Sequence, residues 1–414
     1  MDEATDVVVV GAGVAGGALA TVLARHGVGV TVLEREAVHR DRVRGEYIVP
    51  WGVAEAKRLG LLDTLVGCGG TTITHAIGYD ETVRARSAEA RPLALSDLRP
   101  DVDGGLAVGH PQACTALAEA AEEAGATVVR GVRDVDVKPG REPVVRYEHD
   151  GEARELRCRM VVGADGRASG VRRQLGLELV ETEPHTMGAG LLVDGLDAWP
   201  THAMSKGTEG DVLFFVFPRT GGIARLYLLF DPDNRSRFTG PDRARDFLDA
   251  FRLDCLPPGE AIAASHPAGP LASYPMTDAW TDGPPLVDGV VLVGDAAGWS
   301  DPILGQGLSI ALRDARLVSE ALIGADDWSP ATFDEYVTER AERMRRLRVV
   351  ARVDNALNCT FTPEGRARRK AVKMATLRDP LIAGVTAIPI FVGPEAPPPE
   401  AFEPDNVTRI LAFT

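Results

Sequence analysis

Residues 6–34 read DVVVVGAGVAGGALATVLARHGVGVTVLE. The stretch begins with four valines, passes through Gly11, Gly13 and Gly16, continues with helix-forming apolar residues and ends in a β-branched run at Glu34. A buried run, a glycine turn and a longer amphipathic segment predict a strand, a turn, a helix and a strand, in that order. We therefore predict an α/β fold built on a Rossmann-like unit at the start of the chain.

Each glycine in the turn has a separate physical role. Gly11 allows the tight turn, Gly13 lets a pyrophosphate approach the backbone, and Gly16 lets the helix pack closely on the strand. Unpaired N–H groups at the start of the helix attract the phosphates. Glu34, about 20 residues further on, can accept both hydroxyls of an adenosine ribose but would repel a 2′-phosphate. The stretch predicts tightly held NAD or FAD rather than NADP, and the motif alone does not separate the first two.

Composition limits the class of protein. The chain has 414 residues, 45% of them apolar, which is enough for about two domains. Its net charge of −15 argues against nucleic acid and against a basic membrane-binding patch. Acidic residues stand where a signal peptide needs positive charge, and the apolar stretch 381–392 is short and contains Gly384 and Pro389. We expect a cytoplasmic protein with no membrane contact.

The five cysteines are widely scattered and form no CxxC pair. Metal clusters and redox-active disulfides use closely spaced cysteines. We therefore predict neither a metal site nor a disulfide site, and expect the cysteines to be core or incidental residues.

Two more apolar runs enter glycine turns, MVVGADG at 160–166 and GVVLVGDAA at 289–297. Between them, alternating runs that contain aromatic residues predict an antiparallel sheet with one face covered. The predicted divisions are a discontinuous nucleotide domain (1–75, 105–180 and 285–330), an inserted antiparallel-sheet domain (76–104 and 181–284) and a C-terminal helical region (331–414). Within the last, the Pro- and Glu-rich segment 393–404 is expected to be loosely ordered.

Two features beside the turns can contact an anion. The arginines of loop 40–46 can pair with a pyrophosphate through their guanidinium forks, although a solvated surface loop is the alternative. Residues 305–309, GQGLS, begin a helix that runs to about 322. Backbone N–H groups at such a helix start stabilise negative charge on a ligand, whereas the alternative is an ordinary glycine-rich helix start.

Three turns at Gly11, Asp165 and Asp295, in this order and each after an apolar strand, are more specific than any one alone. Together they resemble the flavoprotein (group A) monooxygenases of the para-hydroxybenzoate hydroxylase type. The resemblance covers about 5–65, 105–178 and 285–325, and is only architectural over 180–280. It implies a Rossmann-like FAD-binding domain with an inserted antiparallel-sheet substrate domain and C-terminal helices.

The resemblance also implies an activity. Such an enzyme binds FAD, accepts a hydride from NADPH or NADH as a transient reductant, and activates dioxygen as the flavin C4a-hydroperoxide. It then hydroxylates or epoxidises a small organic molecule, here expected to be an aromatic or polyketide-like secondary metabolite. The cofactor supplies this chemistry, and the protein orients it and excludes water. We expect a monomer or a homodimer.

By the same resemblance, the first turn holds the ADP half of FAD, the second serves both FAD and the nicotinamide cofactor, and the third holds the ribityl chain. Arg44 matches the arginine against the pyrophosphate, and Pro302 the proline beside the flavin ring. His110 stands where the family has Arg or Gln, so a helix start without a ligand is an alternative there. The predicted cofactor residues are Gly11, Gly13, Val14, Ala15, Gly16, Glu34, Arg35, Arg44, Gly45, His110, Asp165, Gly294, Asp295, Pro302, Gly305, Gly307, Leu308 and Ser309.

The substrate pocket is expected between the inserted sheet and the flavin. Strand alternation leaves open which face each candidate takes. The predicted lining residues are Phe215, Phe217, Tyr227 and Tyr274, and the catalytic candidates are Asp301, Pro302 and Arg219.

Two departures keep other activities open. Gly298 stands where the family often has His, and Asp301-Pro302 replaces a frequent Pro-Pro. This combination also resembles the geranylgeranyl-reductase and flavin-halogenase branches. Halogenation is disfavoured, because no lysine lies between Lys57 and Lys138 and no Trp-rich motif is present. An FAD-dependent reductase of isoprenoid or enone double bonds and a redox-neutral flavoprotein cyclase are the remaining alternatives.

Overall fold

The computed structural model describes residues 3–43 and 45–413. The strands are β1 (Glu3–Ala4), β2 (Val7–Val10), β3 (Val30–Glu34), β4 (Tyr47–Ile48), β5 (Thr71–Ile73), β6 (His75–Asp80), β7 (Leu93–Ala94), β8 (Gly105–Ala107), β9 (Thr127–Arg130), β10 (Arg133–Lys138), β11 (Val144–His149), β12 (Glu152–Arg157), β13 (Met160–Gly163), β14 (Leu179–Glu181), β15 (Thr186–Asp194), β16 (Ala203–Glu209), β17 (Val212–Pro218), β18 (Ala224–Phe230), β19 (His266–Pro267), β20 (Ala272–Met276), β21 (Ala279–Thr281), β22 (Leu286–Val287), β23 (Val290–Leu292) and β24 (Gly298–Trp299). The helices are α1 (Val14–Arg25), α2 (Pro50–Arg58), α3 (Leu62–Gly67), α4 (Ala85–Glu89), α5 (Leu95–Leu98), α6 (His110–Glu123), α7 (Gly170–Gln174), α8 (Arg243–Asp249), α9 (Gly259–Ala264), α10 (Gly307–Gly324), α11 (Asp334–Asn358), α12 (Pro363–Thr376), α13 (Pro380–Ala383), α14 (Ala387–Phe391) and α15 (Pro404–Leu411).

A six-stranded sheet of order β22-β23-β13-β2-β3-β9 brings the three predicted turns together. Neighbours from β23 to β9 are parallel, and only β22 is antiparallel. Val10 at the end of β2 pairs with Gly163, which in turn pairs with Leu292. The four central strands, β23, β13, β2 and β3, are buried, as expected for a parallel sheet covered on both faces. The three glycine turns therefore lie side by side at one edge, and the predicted α/β class is confirmed.

A second, eight-stranded sheet has the order β19-β15-β18-β17-β16-β6-β7, with β20 also paired to β15. Its two faces enter different cores, because successive side chains of a strand point to opposite faces. Phe214 packs with Phe247 and Phe251 of the α8 region, whereas Phe215 and Phe217 pack on the side of the C-terminal helices. Strand β16 was not predicted, and it carries charged and cavity-lining residues described below.

The expectation that residues 393–404 are loosely ordered is wrong. This segment is held by arginines of the preceding helices. Arg313 donates to both carboxylate oxygens of Glu395 at 2.8 and 2.9 Å. Arg346 donates to the carbonyls of Pro394 and Pro397 at 3.1 Å each, and its guanidinium lies 4.8 Å from the ring centroid of Phe402. Prolines restrict the chain before it folds, so fixing this segment costs less entropy than composition suggests.

A helix that crosses a bilayer needs about 20 predominantly apolar residues. Within residues 3–43 and 45–413, no single helix is long and apolar enough to cross one. The helix Pro363–Thr376 and the segment Pro380–Phe391 pass that test only as a pair, bent by 114°.

Candidate functional site

A cavity of about 1440 Å³ connects the glycine turns of the first sheet with one face of the second. Its walls include residues of all three turns, the start of α10 and strands β16–β18. Pockets for one drug-sized ligand usually measure about 300–1,000 Å³. The cavity therefore has room for a dinucleotide and for a second, smaller molecule.

At the first turn, the three glycines differ in what a side chain would meet. A Cβ on Gly11, whose φ is +105°, would lie 2.5 Å from the Ala164 carbonyl oxygen. A Cβ on Gly16 would lie 2.0 Å from the Gly11 carbonyl oxygen, so this position packs helix against turn. A Cβ on Gly13 would meet no atom within 4 Å, and Gly13 lines the cavity beside Val14 and Ala15. Gly13 is thus the glycine that leaves space for a ligand.

Glu34 lies at the end of β3. Its side chain is largely buried and forms part of the cavity wall. Its Oε2 accepts from the Ala12 N–H at 2.6 Å, and its Oε1 accepts from the Glu36 N–H at 2.8 Å. A carboxylate has about four lone-pair sites, so two remain for hydroxyl donors. Glu34 can fix the turn and accept a ribose at the same time.

At the second turn, the Asp165 carboxylate accepts hydrogen bonds from the residues that follow it in the chain. Its Oδ1 accepts from Ser169 Oγ at 2.5 Å, and its Oδ2 accepts from the N–H groups of Gly170 and Val171 at 2.7 and 3.1 Å. These bonds fix the loop before α7. Asp165 lines the cavity, but the geometry gives its carboxylate a positioning role, and the predicted direct contact with either cofactor stays a prediction.

At the third turn, Asp295 lines the cavity with Gly294 and pairs with Arg167, whose Nε lies 3.1 Å from Oδ2. The Arg167 guanidinium also lies 5.1 Å from the ring centroid of Trp299. Sequence reasoning missed Arg167, because it follows the second turn and meets the third only in three dimensions.

The third turn is held from behind by Arg340 of α11. This side chain donates to the carbonyls of Ala297, Gly294 and Gly298 at 3.0, 3.0 and 2.9 Å, and to Asp314 Oδ2 at 3.0 Å. Asp314 Oδ2 also accepts from the Gly294 N–H at 2.8 Å. Burial would raise the pKa of Asp314, but the guanidinium groups of Arg340 and Arg343 overcome this and lower it.

The start of α10 also faces the cavity, through Gly305, Gly307 and Leu308. Gly305 has a φ of +65°, a left-handed conformation that glycine adopts without strain. Ser309 does not line the cavity: it is fully buried, and a Cβ on Gly52 would lie 2.0 Å from its Oγ. Its side chain adjoins α2, and its predicted cofactor contact stays a prediction.

The other predicted cofactor residues are placed as follows. Arg35, Gly45, His110 and Pro302 line the cavity. A Cβ on Gly45 would lie 3.0 Å from His110 Cδ2, so these two positions adjoin. Arg44, to which we assigned the pyrophosphate, lies outside the described residues.

All four predicted pocket residues, Phe215, Phe217, Tyr227 and Tyr274, line the cavity. Tyr47 stacks on Phe217 with ring centroids 4.9 Å apart, and Phe217 meets Tyr227 edge-on at 6.2 Å. Burial raises the pKa of Tyr227 well above its ordinary value, so this phenol stays protonated at neutral pH. The result is a continuous aromatic wall opposite the turns.

Arg219 does not line the cavity, but it adjoins a carboxyl that does. Its Nη1 lies 3.5 Å from Glu46 Oε2, and Arg225 Nη2 donates to Glu46 Oε1 at 3.1 Å and to Asp41 Oδ2 at 2.6 Å. Burial raises the pKa of Glu46, against the lowering effect of Arg225 and Arg219. Within this cluster, Glu46 rather than Arg219 is the group that lines the cavity, and sequence reasoning gave it no role.

Asp301, the other catalytic candidate, is fully buried and does not line the cavity. Its Oδ1 accepts from the Ile303 N–H at 2.9 Å and its Oδ2 accepts from Asn355 Nδ2 at 3.0 Å. These bonds cap the turn that presents Pro302. Asp301 is therefore better explained as a positioning residue than as an acid or base.

Asp278 accepts a hydrogen bond from the Asp301 N–H at 2.8 Å, and its ionisation should make the stability of the fold depend on pH. Burial, with a further contribution from the Asp301 carboxylate, raises the pKa of Asp278 to about 7. Because this exceeds the unfolded value of about 4, ionisation destabilises the fold as pH rises from about 4 to about 7. Asp278→Asn, which keeps an acceptor for the Asp301 N–H, should be more stable than wild type by about 1–3 kcal/mol at pH 8 and nearly equal at pH 4.

Thermal unfolding at the two pH values tests this, with the exposed Asp282→Asn as the control. A stability difference that is the same at both pH values would contradict the raised pKa of Asp278.

Comparisons with known proteins agree with this geometry. A family model described as an FAD binding domain matches residues 4–351. Rifampicin monooxygenase of Streptomyces venezuelae is 30% identical over 343 residues, 81% of this chain and 68% of the relative. Mouse squalene monooxygenase is 29% identical over 333 residues, 77% of this chain, which spans only 54% of that protein. The crystal structure of p-nitrophenol 4-monooxygenase from Pseudomonas putida has a TM-score of 0.76 at 20% identity, covering 99% of this chain and 97% of the other.

Proposed function

Because this chain belongs to the FAD binding domain family of FAD-dependent oxidoreductases, we propose that it oxygenates a small, largely apolar molecule with NADPH or NADH as reductant. The overall reaction consumes dioxygen, NAD(P)H and a proton. One oxygen atom enters the substrate as a hydroxyl or an epoxide, and the other leaves as water. An aromatic or polyketide-like secondary metabolite is the proposed substrate class.

The observation that carries this proposal is the continuity of the cavity. One space joins Gly13 and Asp295 to Phe215 and Tyr227. A dinucleotide along the turns would leave its reactive end facing the aromatic wall. Apolar walls of this kind exclude water from the reacting groups.

The residues present fit FAD in several independent ways. Gly13 leaves open space at the head of α1 for the pyrophosphate, and Glu34 has lone pairs for the ribose hydroxyls. Asp295 would accept from the ribityl chain, while Arg167 holds its carboxylate in place. The N-terminus of α10 would stabilise negative charge at the flavin C2 carbonyl. FAD, when bound, supplies hydride acceptance and oxygen activation.

We assign Glu46, which lines the cavity, to proton transfer with the reacting groups. Its Oε2 has no hydrogen-bond partner within the described residues, and Arg219 and Arg225 keep the carboxylate oriented. Because burial raises the pKa of Glu46, this carboxyl is a candidate to exchange a proton with a reacting group.

Oxygen uptake tests the proposed reaction. Wild-type protein should consume oxygen with NADPH or NADH, and a panel of phenols and polycyclic quinones should contain compounds that stimulate it. A hydrogen peroxide assay separates oxygenation from uncoupled turnover. NAD(P)H oxidation without oxygen use would favour a reductase of double bonds, and absence of flavin reduction would favour a redox-neutral cyclase.

Asp295→Ala should lower FAD affinity about tenfold to a hundredfold, because a charged acceptor is worth about 1.5–3 kcal/mol. The fold should tolerate the change, since Asp295 is about one third exposed and its pair with Arg167 is worth at most about 1 kcal/mol. Flavin titration of the apoprotein measures the effect, with the exposed Asp282→Ala as a matched control. Equal affinities in the two variants would remove Asp295 from the cofactor site.

A further inference from the structure

The end of the cavity formed by β16, α11 and α12 is charged. The charged side chains that line it are Lys206, Asp354, Arg369 and Lys373. The wall leading to them is apolar and includes Leu213, Phe215 and Val372. A molecule lying along this wall would meet ammonium groups at its end.

The Lys206 ammonium is held by Asp354 but keeps one N–H donor that this partner does not accept. Its Nζ donates to both oxygens of Asp354 at 3.0 and 2.8 Å and lies 5.3 Å from the ring centroid of Phe215. An ammonium has three N–H donors, so one remains. Asp354 is held in turn by Asn358 Nδ2 at 2.9 Å. The free donor of Lys206 therefore sits on a fixed support.

Lys373 has more donors left. Its Nζ donates to Asp80 Oδ2 at 2.8 Å, which leaves two N–H groups, and its side chain is 45% exposed. Burial would raise the pKa of Asp80, but the Lys373 ammonium beside it lowers that pKa to about 2. Asp80 thus stays ionised and holds the lysine. Arg369, by contrast, donates from Nε to Asp80 and from Nη2 to Glu81, at 2.7 Å each.

Among the residues that the structure describes, the cavity wall at this end carries three cations and one carboxylate, because Asp80 and Glu81 do not line it. Ammonium donors in a partly desolvated site bind an anion through short, charge-assisted hydrogen bonds. We propose that Lys206 and Lys373 form a subsite for a carboxylate, and that the substrate is an elongated apolar acid whose other end reaches the turns. This inference rests on the proposed function for its statement about the substrate.

A matched pair of ligands tests the subsite without turnover. The probes are 6-hydroxy-2-naphthoate and its neutral methyl ester, titrated into the FAD-loaded protein and followed by the flavin absorption spectrum. The acid should bind about tenfold more tightly than the ester.

Two variants test whether the lysines cause the tighter binding of the acid. Lys373→Met removes one cation. The double change Lys206→Met with Asp354→Asn removes the other cation together with its partner, so that no carboxylate is left unpaired. Each should weaken binding of the acid about fivefold to tenfold and leave the ester unchanged. Lys370→Met, an exposed position on the same helix, is the control and should bind both as wild type does.

Equal binding of acid and ester by the wild type would overturn the inference, and so would binding of neither up to about 1 mM. Unchanged binding of the acid in both lysine variants would also overturn it. The titration needs neither nicotinamide nor oxygen. A protein that binds the acid selectively but never consumes oxygen would refute the proposed function and leave the subsite standing.

Discussion

Arg340→Met should lower the free energy of unfolding by about 3–5 kcal/mol and release most of the bound FAD. Arg340 is buried in α11 and makes four hydrogen bonds, three of them to carbonyls of the turn that carries Asp295. Without it, these carbonyls lose their donor and Asp314 loses a counterion in a buried site. Urea unfolding and flavin content measure the two effects.

Two further variants separate these effects. Arg345→Met, on the same helix, removes an exposed pair with Glu342 and should change stability by less than about 1 kcal/mol. In Arg340→Met, Asp314 keeps Arg343 as a partner at 2.6 Å but loses one of its two guanidinium groups, so adding Asp314→Asn should restore at most a small part of the stability. FAD affinity should stay low in that double variant, since the turn still lacks its donor. Full flavin retention in Arg340→Met would contradict the role assigned to Arg340.

Gly13→Val should leave the apoprotein folded and lower FAD affinity at least about a hundredfold. A Cβ at Gly13 meets no protein atom within 4 Å, and the φ of −69° is ordinary for any residue. The added side chain would instead occupy the space assigned to the pyrophosphate. Thermal unfolding of the apoprotein and flavin titration together measure both parts.

Gly16→Val, in the same turn, is the contrasting variant. Its Cβ would lie 2.0 Å from the Gly11 carbonyl oxygen, so the backbone itself must move. This change should destabilise the apoprotein by about 1–3 kcal/mol or more. If Gly13→Val bound FAD as tightly as wild type, the cofactor could not pass over the first turn as described.

The glycine turns were predictable because their information is local. Each is a short apolar strand followed by a glycine with a fixed geometric task, and a parallel sheet then sets adjacent strand ends side by side. The family and FAD as its cofactor are confirmed by the family match, and the α/β class is confirmed by the fold. The expected oxidoreductase class agrees with the names of the relatives. The residue roles and domain boundaries stay predictions.

What sequence reasoning missed depends on distant contacts. Arg340 stands among several arginines of α11, and nothing local separates the one that holds a buried turn from those at the surface. Strand β16, AMSKGTE, has Thr208 as its single β-branched residue and no aromatic residue, so it lacks the composition that indicates a strand. Segment 393–404 was misjudged by composition, because Glu395 gains its order from Arg313, 82 residues away.

We expect this chain to hold FAD, without a covalent bond, along the three glycine turns. The most direct measurement is acid precipitation of the purified protein, followed by mass spectrometry of the supernatant and spectroscopy of the pellet. Intact FAD is expected in the supernatant, close to one per chain, with a colourless pellet. FMN in the supernatant, flavin that stays with the pellet, or a protein that neither carries nor takes up FAD would contradict it.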